Sequence, residues 1–143
     1  MNLKSNKILI VDDEEDLTWS ISKSLIRDNA LLEVICVNSG DEAFKILETI
    51  SIDLVISDIR MPGKSGLELL DQIEKKYPHI KMIIMTAYGS PAIERKIRNT
   101  KNAYYVEKPF DIHELKKLIF NTNGDDRQFE TSLEETAIDM ILN

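Results

Sequence analysis

The chain has 143 residues, a length typical of one domain with at most a short appendage. Its composition, 43% hydrophobic and 30% charged, is typical of a soluble globular protein, and its apolar runs are far shorter than the ~20 residues of a membrane-spanning helix. The N-terminus lacks the apolar segment of a secretory signal, and the single cysteine, Cys36, cannot form an internal disulfide, which together predict a cytoplasmic protein. The net charge is −7 and no basic cluster accompanies it, so we expect no direct contact with nucleic acid from this segment.

Residues 7–120 alternate between short apolar runs and helical patterns. The predicted strands cover residues 7–11, 31–37, 53–58, 80–85 and 103–106. The predicted helices begin near residues 15, 39, 65, 89 and 111, and three of these starts carry a capping-box pattern: Ser39 with Glu42, Ser65 with Glu68, and Asp111 with Glu114. In the first helix Leu17, Ile21, Leu25 and Trp19 are expected to face the core, whereas the fourth helix has few apolar residues and should be loosely held.

This alternation predicts an α/β fold, a three-layer αβα sandwich around a five-stranded parallel sheet. We expect the strand order 2-1-3-4-5 of flavodoxin-like folds, with a helical extension at the C-terminus.

The composition changes after residue 120. Residues 1–120 are predicted to form one domain, 121–131 an acidic linker, and 132–143 the start of a further helix. Residues 121–143 hold six acidic residues and one arginine, so most of the negative charge lies in this segment.

Residues with chemical function follow four of the five predicted strands. Strand one is followed by Asp12 and Asp13, strand three ends at Asp58, strand four is followed by Thr86, and strand five by Lys108. Each of them singly is ordinary, since an aspartate after a strand commonly caps the next turn. Because the carboxyl ends of parallel strands lie at one edge of the sheet, their joint occurrence predicts one site.

The residue types at this predicted site fit metal-assisted phosphoryl transfer. Three neighbouring carboxylates repel one another, and a divalent cation relieves that repulsion. Oxygen-only ligands suit Mg²⁺, with Mn²⁺ as a substitute. Asp58 could then act as a carboxylate nucleophile on phosphorus, while Lys108 supplies positive charge and Thr86 a hydroxyl donor.

These residues resemble the receiver domain of two-component response regulators, the CheY-like superfamily. The matching positions span about residues 6–120: the acidic pair Asp12-Asp13, the phosphoacceptor Asp58, the switch residue Thr86 with its small neighbour Ala87, and the motif Lys108-Pro109-Phe110. The resemblance implies Mg²⁺ bound by Asp13 and Asp58 directly, by Asp12 through water, and by the backbone carbonyl of Arg60. It also implies a cis peptide between Lys108 and Pro109, and a switch aromatic residue at Tyr105.

The function implied by the resemblance is signalling by phosphorylation. A sensor histidine kinase or phosphotransfer protein would donate the phosphoryl group to Asp58, and the face of helix four, strand five and helix five would change its partners. Such a domain is not an enzyme beyond catalysing its own phosphotransfer and slow autodephosphorylation. We also expect the receiver to form a homodimer and to have no membrane partner. Residues 132–143 would lead to a truncated output domain.

Three other interpretations stay open at this stage. A stand-alone receiver with a helical tail fits the same motifs. A dehalogenase-like aspartyl-phosphate hydrolase would need a second acid two residues after Asp58, where Arg60 stands. A receiver that binds partners without phosphorylation is disfavoured by the intact motif. The sequence also departs from the family at Lys101-Asn102, which replace a Gly-Ala pair and are expected to shift the loop at residues 99–102.

Overall fold

The computed structural model describes residues 6–60, 65–87 and 89–120. The predicted linker and further helix, at residues 121–143, lie outside this range, as does the Pro62-Gly63 turn. Within it the strands are β1 (Lys7–Val11), β2 (Glu33–Val37), β3 (Leu54–Asp58), β4 (Lys81–Thr86) and β5 (Ala103–Glu107). The helices are α1 (Glu15–Asp28), α2 (Gly40–Thr49), α3 (Gly66–Lys76), α4 (Pro91–Arg98) and α5 (Ile112–Phe120).

All five strands are parallel and lie in the order β2-β1-β3-β4-β5, which confirms the predicted topology. β3 is central, and its five residues are all buried, including the terminal Asp58. No helix of the described residues is long and apolar enough to cross a membrane.

The strands are near-continuously apolar because helices cover both faces of the sheet. Successive side chains point to opposite faces, so the core divides into two clusters. Leu9, Val55 and Ile84 pack with α2, α3 and α4 on one face. On the other face Ile8 and Ile56 are among the residues that pack with α1 and α5. Each fully buried Leu or Ile side chain contributes about 1.5–3 kcal/mol of transfer free energy.

Serine caps set where several helices begin. The side chains of Ser39, Ser65 and Ser90 each accept the amide N–H three residues on. The capping box is complete at Ser65, where Glu68 also accepts the serine's own amide. At the second helix Glu42 accepts the amide of Asn38 instead, so the predicted box there is only half formed.

Two local predictions were wrong for identifiable reasons. The second strand begins at Glu33 and not at Leu31, because Asn29 accepts the amide of Leu31 with its side chain and that of Leu32 with its carbonyl, which holds a turn there. Trp19 is 62% exposed, since two residues along a helix from Leu17 is a rotation of about 200° away from the core. Its ring instead lies 4.4 Å from the Lys23 ammonium.

The loop before β5 carries the sequence departure noted above. Asn102 has a φ of 62°, in the left-handed region that glycine adopts readily and asparagine tolerates better than most residues. Its side-chain amide donates to the carbonyl of Pro78, 3.2 Å away, which ties this loop to the turn before β4. Asparagine thus fills a glycine-type position at the end of the sheet opposite the predicted site.

Candidate functional site

Asp12 and Asp58 lie side by side at the carboxyl edge of the sheet. β1 and β3 are adjacent and in register, with Val11 opposite Ser57, so the residues that follow each of these are neighbours. The Asp12 amide donates to the Val37 carbonyl, which extends the pairing with β2 by one residue. Asp12 is completely buried and Asp58 is 9% exposed. The sheet therefore places two aspartates in a largely desolvated position.

Lys108 supplies the positive charge between these carboxylates. Its Nζ lies 2.7 Å from Asp12 Oδ2 and 3.0 Å from Asp58 Oδ2, with Glu14 Oε1 further off at 3.4 Å. Burial alone would lower the pKa of Lys108, but the hydrogen bonds to Asp12 and Asp58 and their charges outweigh it and raise that pKa above its ordinary value. Lys108 therefore stays charged, and one ammonium faces three acids.

The β4–β5 pairing positions Lys108. Thr86, the last residue of β4, stands opposite Glu107, and its carbonyl accepts the amide of Lys108 over 2.7 Å. Thr86 is buried, with 2% of its surface exposed. The Lys108–Pro109 peptide bond is cis. The pairing of β4 with β5 thus brings Thr86 and Lys108 to the edge of the sheet where Asp58 lies.

The acidic cluster includes a residue that the sequence analysis did not single out. Asp12, Glu14 and Asp58 can each offer a carboxylate oxygen such that these atoms lie within 4.8 Å of one another, whereas Asp13 is exposed. The cause is local: Asp12 Oδ1 accepts the amide of Glu14, which turns the chain back over the end of β1. An oxygen-only cluster of this size fits Mg²⁺. The role predicted for Asp13 as a direct ligand stays a prediction.

The backbone around Asp58 is tightly packed. Its Oδ1 accepts the amide of Arg60, an exposed residue whose carbonyl stays a predicted metal ligand. A Cβ on Gly66, the first residue of α3, would lie 2.2 Å from the Asp58 carbonyl oxygen and 2.8 Å from the Cα of Ile59. The absence of a side chain at residue 66 therefore lets α3 begin directly against the strand that carries Asp58.

Tyr105 lies in β5 on the face that packs with α2, α3 and α4. It is half-buried against that core, and its hydroxyl oxygen is shielded from solvent. The hydroxyl lies beside Gly89, in the segment that joins β4 to α4. The ring thus points inward next to the loop that follows Thr86.

Comparison with known proteins identifies the family. A family model for the response regulator receiver domain matches residues 8–120. The chain belongs to this family. Receiver domains are phosphoacceptor regulatory domains of two-component systems and not classical enzymes, they use Mg²⁺, and they interact with histidine kinases or phosphotransfer proteins.

Curated relatives are much longer than this chain. The receiver is 36% identical over 115 residues to the response regulator protein FleR of Pseudomonas aeruginosa, covering 79% of this chain and 24% of FleR. It is 37% identical over 110 residues to the DNA-binding transcriptional regulator NtrC of Klebsiella pneumoniae, covering 77% of this chain and 23% of NtrC. The chain therefore spans about a quarter of the length of these relatives.

Solved structures support the fold. A CheY-like response regulator receiver domain protein from Methanospirillum hungatei aligns with a TM-score of 0.74 and 29% identity, covering 81% of this chain and 91% of that one. A receiver domain protein from Clostridium thermocellum aligns with a TM-score of 0.69 and 34% identity, covering 81% and 92%.

Proposed function

We propose that this receiver accepts a phosphoryl group on Asp58 from a sensor histidine kinase or a phosphotransfer protein. The observation that carries the proposal is the position of the Lys108 ammonium, which contacts Asp58 and Asp12 at once. A phosphoryl group on Asp58 would bring further oxygens to that ammonium, so the charge needed to stabilise the product is already in place.

In the proposed transfer, a carboxylate oxygen of Asp58 forms a bond to phosphorus as the bond from phosphorus to the donor's histidine nitrogen breaks. The imidazole leaves with the electron pair and takes up a proton. Lys108 shifts from the carboxylates towards the phosphoryl oxygens, and the Thr86 hydroxyl donates to one of them. Mg²⁺, held by Asp58 with Asp12, Asp13, Glu14 or the Arg60 carbonyl, would neutralise charge on the carboxylates and phosphoryl oxygens.

The response to phosphorylation is proposed to pass through Thr86 and Tyr105 to the α4–β5–α5 face. Movement of Thr86 towards the phosphoryl group changes the loop between β4 and α4, beside which the Tyr105 ring lies. The α4–β5–α5 face would have one arrangement before phosphorylation and another after it. The two would differ in their affinity for partners, including a second copy of the receiver. Slow hydrolysis of the aspartyl phosphate within the receiver resets the switch.

We propose further that this receiver belongs to a longer cytoplasmic regulator of transcription. The support is the match to about a quarter of the length of relatives such as NtrC, which is named as a DNA-binding transcriptional regulator. DNA contact would then belong to an output domain, since the sequence of the receiver has no basic cluster.

Incubation with a small phosphodonor and Mg²⁺ tests the proposal. We expect intact-protein mass spectrometry to show one added phosphoryl group that hydroxylamine removes, and no addition in excess EDTA. Asp58→Asn should not be labelled. Asp41→Asn, an exposed aspartate in the first turn of α2, is the matched control and should label like the wild type. Labelling of Asp58→Asn at the wild-type level would overturn the proposal, and sustained turnover of a phosphomonoester would instead favour a hydrolase.

A further inference from the structure

The hydroxyl of Tyr105 occupies the space that a side chain at residue 89 would need. A Cβ added to Gly89 would lie 2.0 Å from the Tyr105 hydroxyl oxygen, 3.1 Å from its Cζ and 3.6 Å from its Cε2. A carbon and an oxygen that are not bonded cannot approach to 2.0 Å. An alanine at residue 89 and the observed inward ring of Tyr105 therefore exclude each other.

This exclusion results from contact and not from backbone strain. The φ of Gly89 lies outside the left-handed region, so the backbone there is open to other residues. The nearest atoms all belong to the outer end of the Tyr105 ring, which can rotate away about χ1.

The alternative response, a shift of the loop, is the more constrained one. Gly89 directly precedes Ser90, which caps α4. Pro91 restricts φ at the first position of α4, and the Ser90 side chain accepts the amide of Ile93. Gly89 is thus followed directly by a fixed helix start, and rotation of the ring is the easier way to relieve the contact.

We propose that residue 89 is a positioning residue for Tyr105: the absence of a side chain there permits the inward ring, and any side chain shifts the ring outward. For its signalling consequence the inference rests on the proposed function. Gly89 lies three residues after Thr86, so movement of Thr86 on phosphorylation would change the room beside Gly89 and hence the position of the Tyr105 ring. The small residue at 89 keeps both ring positions accessible to the receiver.

The first test follows the tyrosine rings by NMR in protein with ¹³C-labelled tyrosine, without Mg²⁺ or phosphodonor. Gly89→Ala should move the Tyr105 resonances towards values of an exposed ring. Tyr104, which is buried in the core on the opposite face of the sheet, is the internal control and should not move. Unchanged Tyr105 resonances in a folded Gly89→Ala protein would overturn the inference.

The second test is a graded double-mutant series read by the urea midpoint of unfolding. Gly89→Ala should lower the midpoint most with Tyr105 present, less with Tyr105→Phe, where the nearest ring atom would be Cζ at 3.1 Å, and not at all with Tyr105→Ala. An equal loss in all three backgrounds would show that the alanine disturbs the loop itself, which contradicts the proposal.

A third measurement separates this inference from the proposed function. Addition of the phosphodonor with Mg²⁺ should shift the Tyr105 resonances of the wild type, and should shift those of Gly89→Ala much less, because the methyl group at residue 89 keeps that ring outward with or without the phosphoryl group. Failure of Asp58 to be phosphorylated would contradict the proposed function and leave intact the ring displacement caused by Gly89→Ala. Phosphorylation of Asp58 with no effect of Gly89→Ala on the ring would contradict the inference alone.

Discussion

The backbone amide of Lys108 donates to the backbone carbonyl of Thr86 over 2.7 Å, while the side chain of the same lysine contacts Asp58 and Asp12. Lys108 therefore joins the acidic cluster to the backbone of Thr86, the buried last residue of the neighbouring strand. A displacement of the Thr86 backbone must either carry Lys108 with it or break this hydrogen bond. The charge change proposed at Asp58 and the loop after Thr86 are thus coupled through one residue.

The first prediction concerns the cost of the unbalanced charge at the site. Since one ammonium faces Asp12, Glu14 and Asp58, the site carries excess negative charge, and two of these acids, Asp12 and Asp58, are buried. Asp58→Asn removes one negative charge and keeps the shape. In EDTA we expect it to raise the free energy of unfolding by about 1 kcal/mol.

Urea unfolding followed by circular dichroism, with and without Mg²⁺, checks this prediction. Mg²⁺ should stabilise the wild type more than Asp58→Asn, because it relieves the same repulsion, and the difference between the two should shrink or reverse. Asp41→Asn, on the exposed side of α2, should show neither effect. A lower free energy of unfolding for Asp58→Asn in EDTA would mean that its contact with Lys108 outweighs the repulsion.

The second prediction concerns the close contact between α3 and β3. Gly66→Ala would place a Cβ 2.2 Å from the carbonyl oxygen of Asp58 and 2.9 Å from its carbonyl carbon. These are backbone atoms of the central strand, so neither α3 nor β3 can shift without disrupting the packing around it. We expect a loss of about 3 kcal/mol in the free energy of unfolding, and slower labelling at Asp58.

Ser65→Ala provides the comparison for Gly66→Ala, because it alters the same helix start without adding an atom near Asp58. Loss of the cap should lower the free energy of unfolding by about 1 kcal/mol. Equal losses for the two variants would indicate that Gly66→Ala acts only on the helix start and not on the strand.

The strand order, the two-sided core and the edge where Asp12, Asp58 and Lys108 meet could be predicted because they follow from periodicity and parallel topology. Apolar runs fixed the strands, and a polar residue directly after each run had to lie at the same edge of the sheet. The residues at the carboxyl ends of the strands can therefore be predicted from the sequence without any knowledge of tertiary contacts.

The features that sequence reasoning missed depend on distances between elements. Glu14 enters the acidic cluster through a turn made by the Asp12 side chain, and the only signal in the sequence was a third acid after the pair. Gly66 and Gly89 look like ordinary glycines near helix starts, yet each leaves room for an atom of another element. Such contacts have no sequence period, so no pattern could have revealed them.

The third prediction tests whether Asn102 is a substitute for glycine. Because φ at residue 102 is 62°, alanine would be strained there, and the hydrogen bond to the Pro78 carbonyl would be lost. We therefore expect Asn102→Ala to lower the free energy of unfolding by about 1–2 kcal/mol. Asn102→Gly loses the same hydrogen bond but not the backbone conformation, so it should cost at most about 1 kcal/mol. Thermal unfolding of both variants measures this difference in stability. An alanine variant as stable as the glycine variant would show that the backbone conformation at residue 102 is not strained for alanine.

The fourth prediction concerns Lys81, at the start of β4. Its Nζ donates to the carbonyls of Leu118 and Ile119 in the last turn of α5 and lies 5.0 Å from the centre of the Tyr104 ring. Burial lowers the pKa of Lys81 from 10.5 to about 7. Between these two values the unfolded chain binds more protons at this residue than the folded one, so the contribution of Lys81 to stability rises as the pH increases through that range.

Lys81→Met keeps the length of the side chain and removes the charge, so it should flatten this part of the pH dependence. We expect the stability of the variant relative to the wild type to be greatest near pH 7 and to decline as the pH approaches about 10. Lys108 does not interfere, because its pKa is raised above 10.5 and it keeps its proton throughout. Urea unfolding at a series of pH values, with Lys45→Met on the exposed face of α2 as the control, measures the difference. A difference independent of pH would show that the α5 carbonyls and the Tyr104 ring hold the Lys81 ammonium charged despite its burial, because only a group that titrates differently in the two states changes stability with pH.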